Sequence, residues 1–422
     1  MTKIYQQIVV AFLALTVYVK DVTSAGCLSE VDDIDYPKSI RSDLYRGEQA
    51  FTVSMLDAIN KATPNENIFF SPYSTYHALL LAYFGARNET EAELIKALNL
   101  NWPKNKNHVR QAYIAEKKSR KMRSDNSPID FASADRIFFS KEATLHECMR
   151  DIFSEELQVM DFRSNPEQCR MEINSWIANV TRNEIPEVLN AGDIATDTNL
   201  VLGNAAYFKG QWEAKFDAKD TTKEVFYTSS NKQTFVDMMH INGTYALSVD
   251  ERLRAHVLEM PYLSDKKGGI SMVIILPPFE PNSLDEVLKR LTPDTLNMAL
   301  KEGMAREIEI SLPKFEFEQN IELLPILNKM GINQLFGPNA DLSGFSVDKQ
   351  LSLGDAKHVA KIKVDEEGST AAAATVLFSF RSARPIEPTK FECNHPFLFL
   401  IYDHKTQAIL FTGIYRDPMT QK

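Results

Sequence analysis

The sequence contains few cysteines for its length. There are four in 422 residues, namely Cys27, Cys148, Cys169 and Cys393. None lies at the spacing of a zinc finger or a redox pair, and four cysteines in so long a chain do not form a disulfide scaffold. One disulfide would fit an oxidising compartment, but the sequence does not indicate which cysteines pair.

The sequence also lacks the short motifs that mark common catalytic sites. It has no G-x-S-x-G nucleophile elbow, no H-E-x-x-H helix and no glycine-rich phosphate loop. Its eight histidines are scattered, and none has a metal-ligand partner close by in sequence. We therefore expect no metal site and no catalytic residues, and predict that the protein is not an enzyme, although a triad built from distant residues stays open.

Long apolar runs are absent except for a short one near the N-terminus. Residues 8–19 form this run, and the small residues at 23–25 follow it, which is typical of a secretory signal peptide over residues 1–25. The run is shorter than the roughly 20 apolar residues of a membrane span, so an uncleaved anchor is the weaker alternative. We expect a secreted, extracellular protein, and its net charge of −10 argues against nucleic-acid binding.

The rest of the composition is that of an ordinary globular protein, with 44% apolar and 25% charged residues. Residues 26–42 are polar and acidic, and we expect them to form a mobile extension. From residue 43 to 418, helical and strand patterns mix without a linker, a repeat or a clean break. This pattern predicts one α+β domain.

Several segments have clear helix or strand patterns. Ser71 and Pro72 form a good helix start, and the apolar run at 78–84 predicts a buried helix behind them. In residues 307–312 every second residue is apolar, which predicts a strand with its polar half in solvent. The other predicted strands are residues 198–208, 269–277, 396–402 and 409–414.

The segment from residue 364 to 390 fits none of these patterns. It passes from acidic residues through Gly368 and a tract of small residues to an apolar stretch, two arginines and two prolines. A loop of this length without regular structure is uncommon in a compact domain and is usually functional. This segment is therefore the first candidate for a functional site.

The segment and its flanks resemble the serpin family over residues 43–418. The resemblance rests on six motifs that agree with the family in order and spacing. They are residues 67–74 (NIFFSPYS), 173–176 (INSW), 202–212 (LGNAAYFKGQW), 364–369 (VDEEGS), 394–397 (NHPF) and 410–413 (LFTG). Each motif is weak alone, but in this order they are specific. The likeness is to secreted inhibitory serpins of the arthropod immune or cascade type.

The resemblance implies a serpin fold with three β-sheets, about nine helices and an exposed reactive-centre loop at about residues 366–390. In that family a serine protease cleaves the loop and becomes acylated. The loop then inserts as a new strand into the central sheet and carries the protease with it. We therefore expect a monomeric suicide-substrate inhibitor that forms a covalent complex with a serine protease and needs no cofactor.

The resemblance makes residues 366–375 the hinge of this loop. They are Glu366, Glu367, Gly368, Ser369, Thr370, Ala371, Ala372, Ala373, Ala374 and Thr375. Gly368 gives backbone freedom at the pivot, and strand alternation would turn the uncharged, odd-numbered residues 369–377 toward the core. The alternative is a non-inhibitory carrier, chaperone or storage protein of the same fold. Such proteins typically carry bulky, charged or proline residues in the hinge, and residues 368–375 contain none.

Two peptide bonds are candidates for cleavage. A loop one residue shorter than the commonest family length places the bond at Arg381-Ser382, which suits the acidic pocket of a trypsin-like protease. The commonest length places it at Ser382-Ala383, which suits an elastase-like protease with a small pocket. We favour Arg381-Ser382, and with it a target in an extracellular cascade of innate immunity or coagulation.

The resemblance also identifies polar residues under the central sheet that control its opening. The matching positions are Ser71, Ser74, Asn204 and His358, with Trp212 at the breach where insertion begins. A buried histidine with serine and asparagine neighbours forms a satisfied network that can rearrange as strands part. The alternative is that these are ordinary core residues whose hydrogen bonds are satisfied.

Two kinds of surface site complete the predictions. The sequons at Asn88, Asn179 and Asn242 are candidate glycosylation sites in a secreted protein. A basic segment lies near the helix where some serpins bind heparin-like polysaccharides, so a sulfated glycosaminoglycan is a candidate activator. Its cations are Lys104, Lys106, Arg110, Lys117, Lys118, Arg120, Lys121 and Arg123. The alternative is a solvated basic face without a ligand.

Overall fold

The computed structural model describes residues 27–28, 40–124, 128–264, 269–347, 351–354, 356–367 and 388–420. The α-helices of this part are α1 (Ile40–Ala62), α2 (Pro72–Gly85), α3 (Asn88–Ala97), α4 (Lys106–Ser124), α5 (Glu147–Ile152), α6 (Pro166–Val180), α7 (Ser283–Arg290), α8 (Pro293–Lys301) and α9 (Leu323–Lys329). Its strands are β1 (Ile68–Phe70), β2 (Asp130–Ser140), β3 (Leu157–Met160), β4 (Leu200–Lys209), β5 (Thr222–Ser229), β6 (Lys232–Asp250), β7 (Ala255–Pro261), β8 (Ile270–Leu276), β9 (Met304–Pro313), β10 (Phe315–Glu322), β11 (Lys357–Val364), β12 (Thr389–Glu392), β13 (Phe397–Asp403) and β14 (Ala408–Tyr415). Within these residues, none of the helices combines the length and apolarity of a membrane span.

The described strands form a central sheet and a larger sheet. The central sheet has five strands in the order β10-β11-β4-β2-β3. The larger one has nine, in the order β1-β14-β13-β8-β7-β6-β9-β12 with β5 also paired to β6. Strand β6 is 19 residues long and pairs first with β5, then with β9 and last with β7, so it belongs to two groups of strands. The expected three sheets thus correspond to the central sheet and these two groups.

Helix α2 is the buried helix that the sequence predicts. All its residues are buried, and Ser71 caps it by accepting a hydrogen bond from the Ser74 backbone N–H at 3.1 Å. Pro72 occupies the first helical position, where its missing N–H costs nothing. The helix packs against β2 and β4 of the central sheet and against β14. It therefore presents the polar residues of its first turn to the central sheet.

The internal boundaries of the central sheet differ in length. β2 and β4 are antiparallel over ten residue pairs, and β10 and β11 are antiparallel over eight. β4 and β11 instead run parallel and share four pairs, from Val359–Ala205 to Ile362–Phe208, and one isolated bridge. We call the β4–β11 boundary the seam. The seam is shorter than the β2–β4 and β10–β11 pairings on either side of it, and it equals in length the four parallel pairs that join the edge strand β3 to β2.

Two expectations about the chain are corrected by the structure. Residues 26–42 are not simply a mobile extension, because Cys27 forms a disulfide with Cys148 and Leu28 is buried in the core. Helix α1 also begins at Ile40, inside this range. In β9 the apolar half is buried as predicted, but Ser311 of the polar half is buried too, since β6 and β12 pair with β9 on either side of it. Its Oγ lies 3.1 Å from His240 Nδ1, which satisfies the hydroxyl.

Candidate functional site

The seam is arranged to accept another strand. Since β4 and β11 run parallel, a strand placed between them can pair antiparallel with both. Strand β11 ends at Val364, so the chain leaves the sheet at one end of the seam. A short hairpin turn there is enough to return the chain between the two strands.

The predicted loop lies beyond this point of exit. Of the predicted hinge, Glu366 and Glu367 are in the described part, and residues 368–375 lie outside it. Both candidate reactive bonds, at Arg381, Ser382 and Ala383, also lie outside the described residues. The base of the hinge is therefore the part of the loop whose contacts the structure shows.

Trp212 lies at the hinge end of the seam, as its predicted role requires. Its Nε1 donates a hydrogen bond to the Asp365 carbonyl oxygen at 2.9 Å, and its ring stacks on Tyr262 with the centroids 4.5 Å apart. The Tyr262 ring also packs closely against the backbone of Gly210. A side chain at that position would not fit, because its Cβ would lie 2.6 Å from the ring. The indole therefore ties the end of β11 to the turn that follows β4.

Glu366 fastens the base of the hinge through both its side chain and its backbone. Its carboxylate accepts a hydrogen bond from Thr221 Oγ1 and forms an ion pair with Lys314, both at 2.8 Å. Its carbonyl accepts a hydrogen bond from the Phe216 backbone N–H at 3.2 Å. Burial alone would raise the pKa of Glu366, but the hydrogen bonds from Lys314 and Thr221 outweigh it and lower that pKa. The carboxylate is thus held in its charged form.

The four predicted polar residues lie together under the seam. His358 Nε2 accepts a hydrogen bond from the Ser71 backbone N–H at 2.9 Å, so the neutral ring carries its proton on Nδ1 and donates it to Asn204 Oδ1. Asn204 Nδ2 in turn donates to Ser74 Oγ at 2.7 Å. Burial lowers the pKa of His358 to about 3. The network therefore joins α2, β4 and β11 through a neutral imidazole.

Two members of this network were missed in the sequence. Asp135 Oδ1 accepts hydrogen bonds from Ser74 Oγ at 2.9 Å and from Asn204 Nδ2 at 2.8 Å, and Ser133 Oγ donates to Asp135 Oδ2 at 2.6 Å. Burial raises the pKa of Asp135, and Arg120 opposes this rise. Asp135 meets Asn204 because the two residues lie directly opposite each other in the β2–β4 pairing. The register of two strands cannot be read from the sequence, so these members of the network were not predicted.

The basic segment does not form one continuous cationic surface. Lys106 is buried, pairs with Glu91 at 3.1 Å and lies over the Tyr83 ring, so its inclusion in a surface patch is wrong. Burial and nearby Arg87 lower the pKa of Lys106 to about 7.

The other cations of the segment have varied surroundings. Lys117 is paired with Glu155 at 2.6 Å, and Arg120 lies over the Tyr73 and Phe131 rings. Arg110 is half-buried, and the side chain of Arg123 lies outside the described part. The exposed cations of the segment within the described residues are Lys104, Lys118 and Lys121.

The predicted glycosylation sites are on the surface. Asn88, Asn179 and Asn242 are all exposed, the first at the start of α3, the second near the end of α6 and the third in β6. Asn88 Nδ2 donates a hydrogen bond to Asp341 Oδ2 at 2.7 Å. Exposure makes all three compatible with a glycan, and glycosylation itself stays a prediction.

Comparison with known proteins gives consistent results. The family model described as Serpin (serine protease inhibitor) matches residues 46–418. Serine protease inhibitor 88Ea of Drosophila melanogaster is 55% identical, covering 90% of this chain and 92% of that protein. Antithrombin-III of Mus musculus is 36% identical, covering 84% and 77%. The crystal structure of uncleaved ovalbumin is 25% identical with a TM-score of 0.78, covering 89% of this chain and 100% of that one. A crystal structure of maspin is 23% identical with a TM-score of 0.81, covering 90% and 100%, and supports the fold.

Proposed function

This chain belongs to the serpin family, and from this premise we propose that it is a secreted inhibitor that traps a serine protease by inserting its cleaved loop into the central sheet. The observation that carries the proposal is the seam, where two parallel strands share four residue pairs and the hinge leaves at one end. The name of the Drosophila relative, a serine protease inhibitor, supports the proposed activity.

The driving force for insertion is the pairing that the seam leaves unmade. A strand of about ten residues between β4 and β11 gains hydrogen bonds on both sides, each with a net value of about 1 kcal/mol. The hinge offers little resistance, since residues 368–375 are small and uncharged. The mainly apolar stretch at 376–380 would then continue the inserted strand, with Leu377 on the core side. Cleavage frees the loop to move, and the acyl bond carries the protease along.

The finer parts of the proposal concern target and location. Cleavage at Arg381-Ser382 defines a trypsin-like target of an extracellular cascade, and cleavage at Ser382-Ala383 an elastase-like one. The Cys27–Cys148 disulfide supports secretion, because disulfides persist mainly in oxidising compartments. The exposed asparagines of the three sequons support a glycosylated surface. A sulfated polysaccharide stays a candidate partner for the exposed lysines of α4 and its flank.

The proposal is tested by incubating the purified protein with trypsin and, separately, with elastase, followed by a denaturing gel. We expect a stable band near the summed mass with at least one protease, and mass spectrometry of the released C-terminal peptide identifies the cut bond. Hinge variants provide the matched control. Ala373→Arg, which places a charge inward, should abolish the complex and leave a cleaved protein, whereas the outward Ala372→Arg should keep it.

Two results would contradict the proposal. Digestion of the loop by both proteases without any stable complex would argue against a trapping mechanism for these protease classes. Equal behaviour of Ala373→Arg and Ala372→Arg would show that the hinge does not enter the sheet as a strand.

A further inference from the structure

We propose that a glycan on Asn242 shields one side of the reactive-centre loop and thereby limits which serine proteases reach it. The inference rests on the proposed function in one respect, namely that a protease docks on the loop. It goes beyond the predicted glycosylation, because it gives one of the three sequons a role in selecting the target.

Asn242 lies in a row of outward-facing residues that crosses three strands. In the β6–β9 pairing it is directly opposite Glu309, and in the β9–β12 pairing Glu309 is directly opposite Lys390. Residues that lie directly opposite each other in paired strands share one face of the sheet. Asn242 and Lys390 are both exposed on this face. We call the exposed side of β6, β9 and β12 the loop-side face.

The loop-side face adjoins the point where the loop returns to the sheet. Strand β12 begins at Thr389, directly after the loop. Neighbouring strands lie about 4.8 Å apart, so Asn242 is about 9.6 Å from β12. Ser382 of the candidate reactive bonds precedes Thr389 by seven residues. Even a fully extended chain of that length spans at most about 25 Å, which bounds the distance from Thr389 to the bond that a protease attacks.

A docked protease needs the space in front of this face. A protease domain of about 250 residues has a radius of gyration of about 18 Å. Held within about 25 Å of Thr389, a body of that size covers part of the surface around β12. A glycan is bulky and projects into the solvent. A glycan two strands away from β12 therefore excludes proteases that extend over β9 and β6.

The folded chain accommodates a glycan on Asn242 without losing a contact. Within the part of the chain that the structure describes, the Asn242 amide has no hydrogen-bond partner. Thr244, which completes the sequon, is exposed on the same face of β6. The Asn88 amide, by contrast, would have to give up its hydrogen bond to Asp341. Asn242 is thus well suited to carry a glycan in the native state.

The other two sequons lie on elements that pack elsewhere. Asn88 is at the start of α3, which packs on α2, and Asn179 is near the end of α6, which packs on β2 and β4. Neither helix belongs to the loop-side face. Among the three sequons, only the one at Asn242 lies on the strands that adjoin β12, so the proposed role is specific to it.

The experiment uses two substitutions at one residue. The full chain is secreted from eukaryotic cells that add N-glycans, and mass spectrometry measures the occupancy of Asn242. Thr244→Val removes the hydroxyl that the sequon requires and keeps both Asn242 and the side-chain shape, whereas Thr244→Ser keeps the sequon. The readout is the second-order rate constant of complex formation with the protease that the unmutated protein traps. We expect Thr244→Val to raise it about three- to tenfold and Thr244→Ser to leave it unchanged.

Two further measurements identify the cause of a faster reaction. Asn179→Gln removes a glycan far from the loop-side face and should leave the rate constant within about twofold. A synthetic peptide with the sequence of residues 369–380 should enter the central sheet of Thr244→Val at the unmutated rate, because the glycan acts on access to the loop. Asn242→Gln removes the sequon at its other end, and it replaces Thr244→Val if that variant does not fold.

The outcomes separate this inference from the proposed function. An unoccupied Asn242, or equal rate constants in Thr244→Val and Thr244→Ser, overturns the shield and leaves inhibition intact. Faster peptide incorporation in Thr244→Val overturns it too, because the sheet would then have changed instead of the access. If none of the proteins forms a complex with trypsin or elastase, the proposed function fails, and the shield fails with it.

Discussion

The two sides of strand β4 differ in how firmly they are closed. Toward β2 it forms ten antiparallel residue pairs, and toward β11 it forms four parallel ones. Ala205 of β4 belongs to both pairings, because it lies opposite Ala134 of β2 on one side and Val359 of β11 on the other. The side chains at this level are apolar on both sides, so the difference lies in strand direction and length of pairing. The proposed insertion therefore requires fewer strand contacts to break at the seam than it would at the β2–β4 boundary.

The surroundings of the two boundaries also differ. The β2–β4 boundary is covered by ordinary packing, such as the Phe138 and Trp176 rings, whose centroids lie 5.5 Å apart. Under the seam lies a hydrogen-bond network through His358 and Asn204, which continues beneath β4 to Asp135 of β2. Polar groups can exchange partners as strands separate, whereas separated apolar surfaces would leave a cavity. The contact specific to the seam is thus the hydrogen bond of His358, which would have to change partners in the proposed insertion.

Disulfide crosslinks on either side of β4 should produce the largest difference. Ala205→Cys with Val359→Cys locks the seam, and Ala205→Cys with Ala134→Cys locks the β2–β4 boundary, since opposite residues have Cα separations that a disulfide spans. Both are made with Cys169→Ser, because Cys169 lies in the same apolar cluster. We expect the seam crosslink to slow inhibition about 100-fold or more, which corresponds to about 2.8 kcal/mol.

The readout is the second-order rate constant of complex formation with the protease that the unmodified protein traps. The β2–β4 crosslink should leave this rate constant within about twofold of that of the unmodified protein, since the proposed insertion does not separate β2 from β4. Similar losses in both crosslinked proteins would mean that β4 must part from both neighbours, and the contrast drawn here would be lost.

Charge reversal at the hinge should have an intermediate effect. In Glu366→Lys the new charge stands at a buried position and faces the like charge of Lys314, and we expect the free energy of unfolding to fall by about 2 kcal/mol. The control variant is Asp130→Lys at the first residue of β2. Its ion-pair partner Arg182 is exposed, so the loss in the free energy of unfolding should stay at about 0.5 kcal/mol. Urea titration measures both, and Lys314→Glu should recover part of the loss in Glu366→Lys. Equal losses in the two single variants would contradict the difference between the boundaries.

The smallest effect is expected from mild acidification, between pH 6 and 5. His358 has a folded pKa of about 3 because of burial, against about 6.5 when unfolded, so the unfolded chain binds the extra proton between these values. Stability is therefore lost as pH falls from about 6.5 toward 3, by up to about 1.4 kcal/mol per pH unit for this group. His358→Gln should remove this slope between pH 6 and 5, measured by urea titration at each pH.

His77 provides the control for this pH effect. Burial, with Arg120 nearby, lowers the pKa of His77 to about 3 too, but this ring lies between Tyr73, Tyr76 and Tyr113, away from the seam. His77→Gln should remove a similar slope. Only the His358 variant should also change the rate at which a synthetic peptide with the sequence of residues 369–380 enters the central sheet at the seam. A changed rate in both variants would contradict a role specific to His358.

The elements around the site were predictable because their patterns are local. The cap at Ser71 and the apolar run behind it predict helix α2, and the range 198–208 agrees with β4 to within two residues at its start and one at its end. The same holds for residues 269–277 and β8. The order of the motifs identified the family. The family resemblance in turn singled out His358 and Asn204, which are in contact in the structure.

The contacts of the site were less predictable because each depends on residues far apart in the chain. Asp135 joins the network through the register of β2 on β4, and Lys314 meets Glu366 across 52 positions of sequence. Cys27 pairs with Cys148 across 121 residues, a choice that spacing left open. Lys106 looked like a surface cation, since a charge run does not show which of its members point inward.

The sequence by itself determined helix α2, several of the strands, the family and the residue types of the hinge, since periodicity and residue type act over a few positions. Only the tertiary structure decided where the seam lies in the sheet. The seam exists because β4 and β11, distant in the chain, meet in parallel over four pairs. Pairing of distant strands is set by how the whole core packs, and no local pattern encodes it.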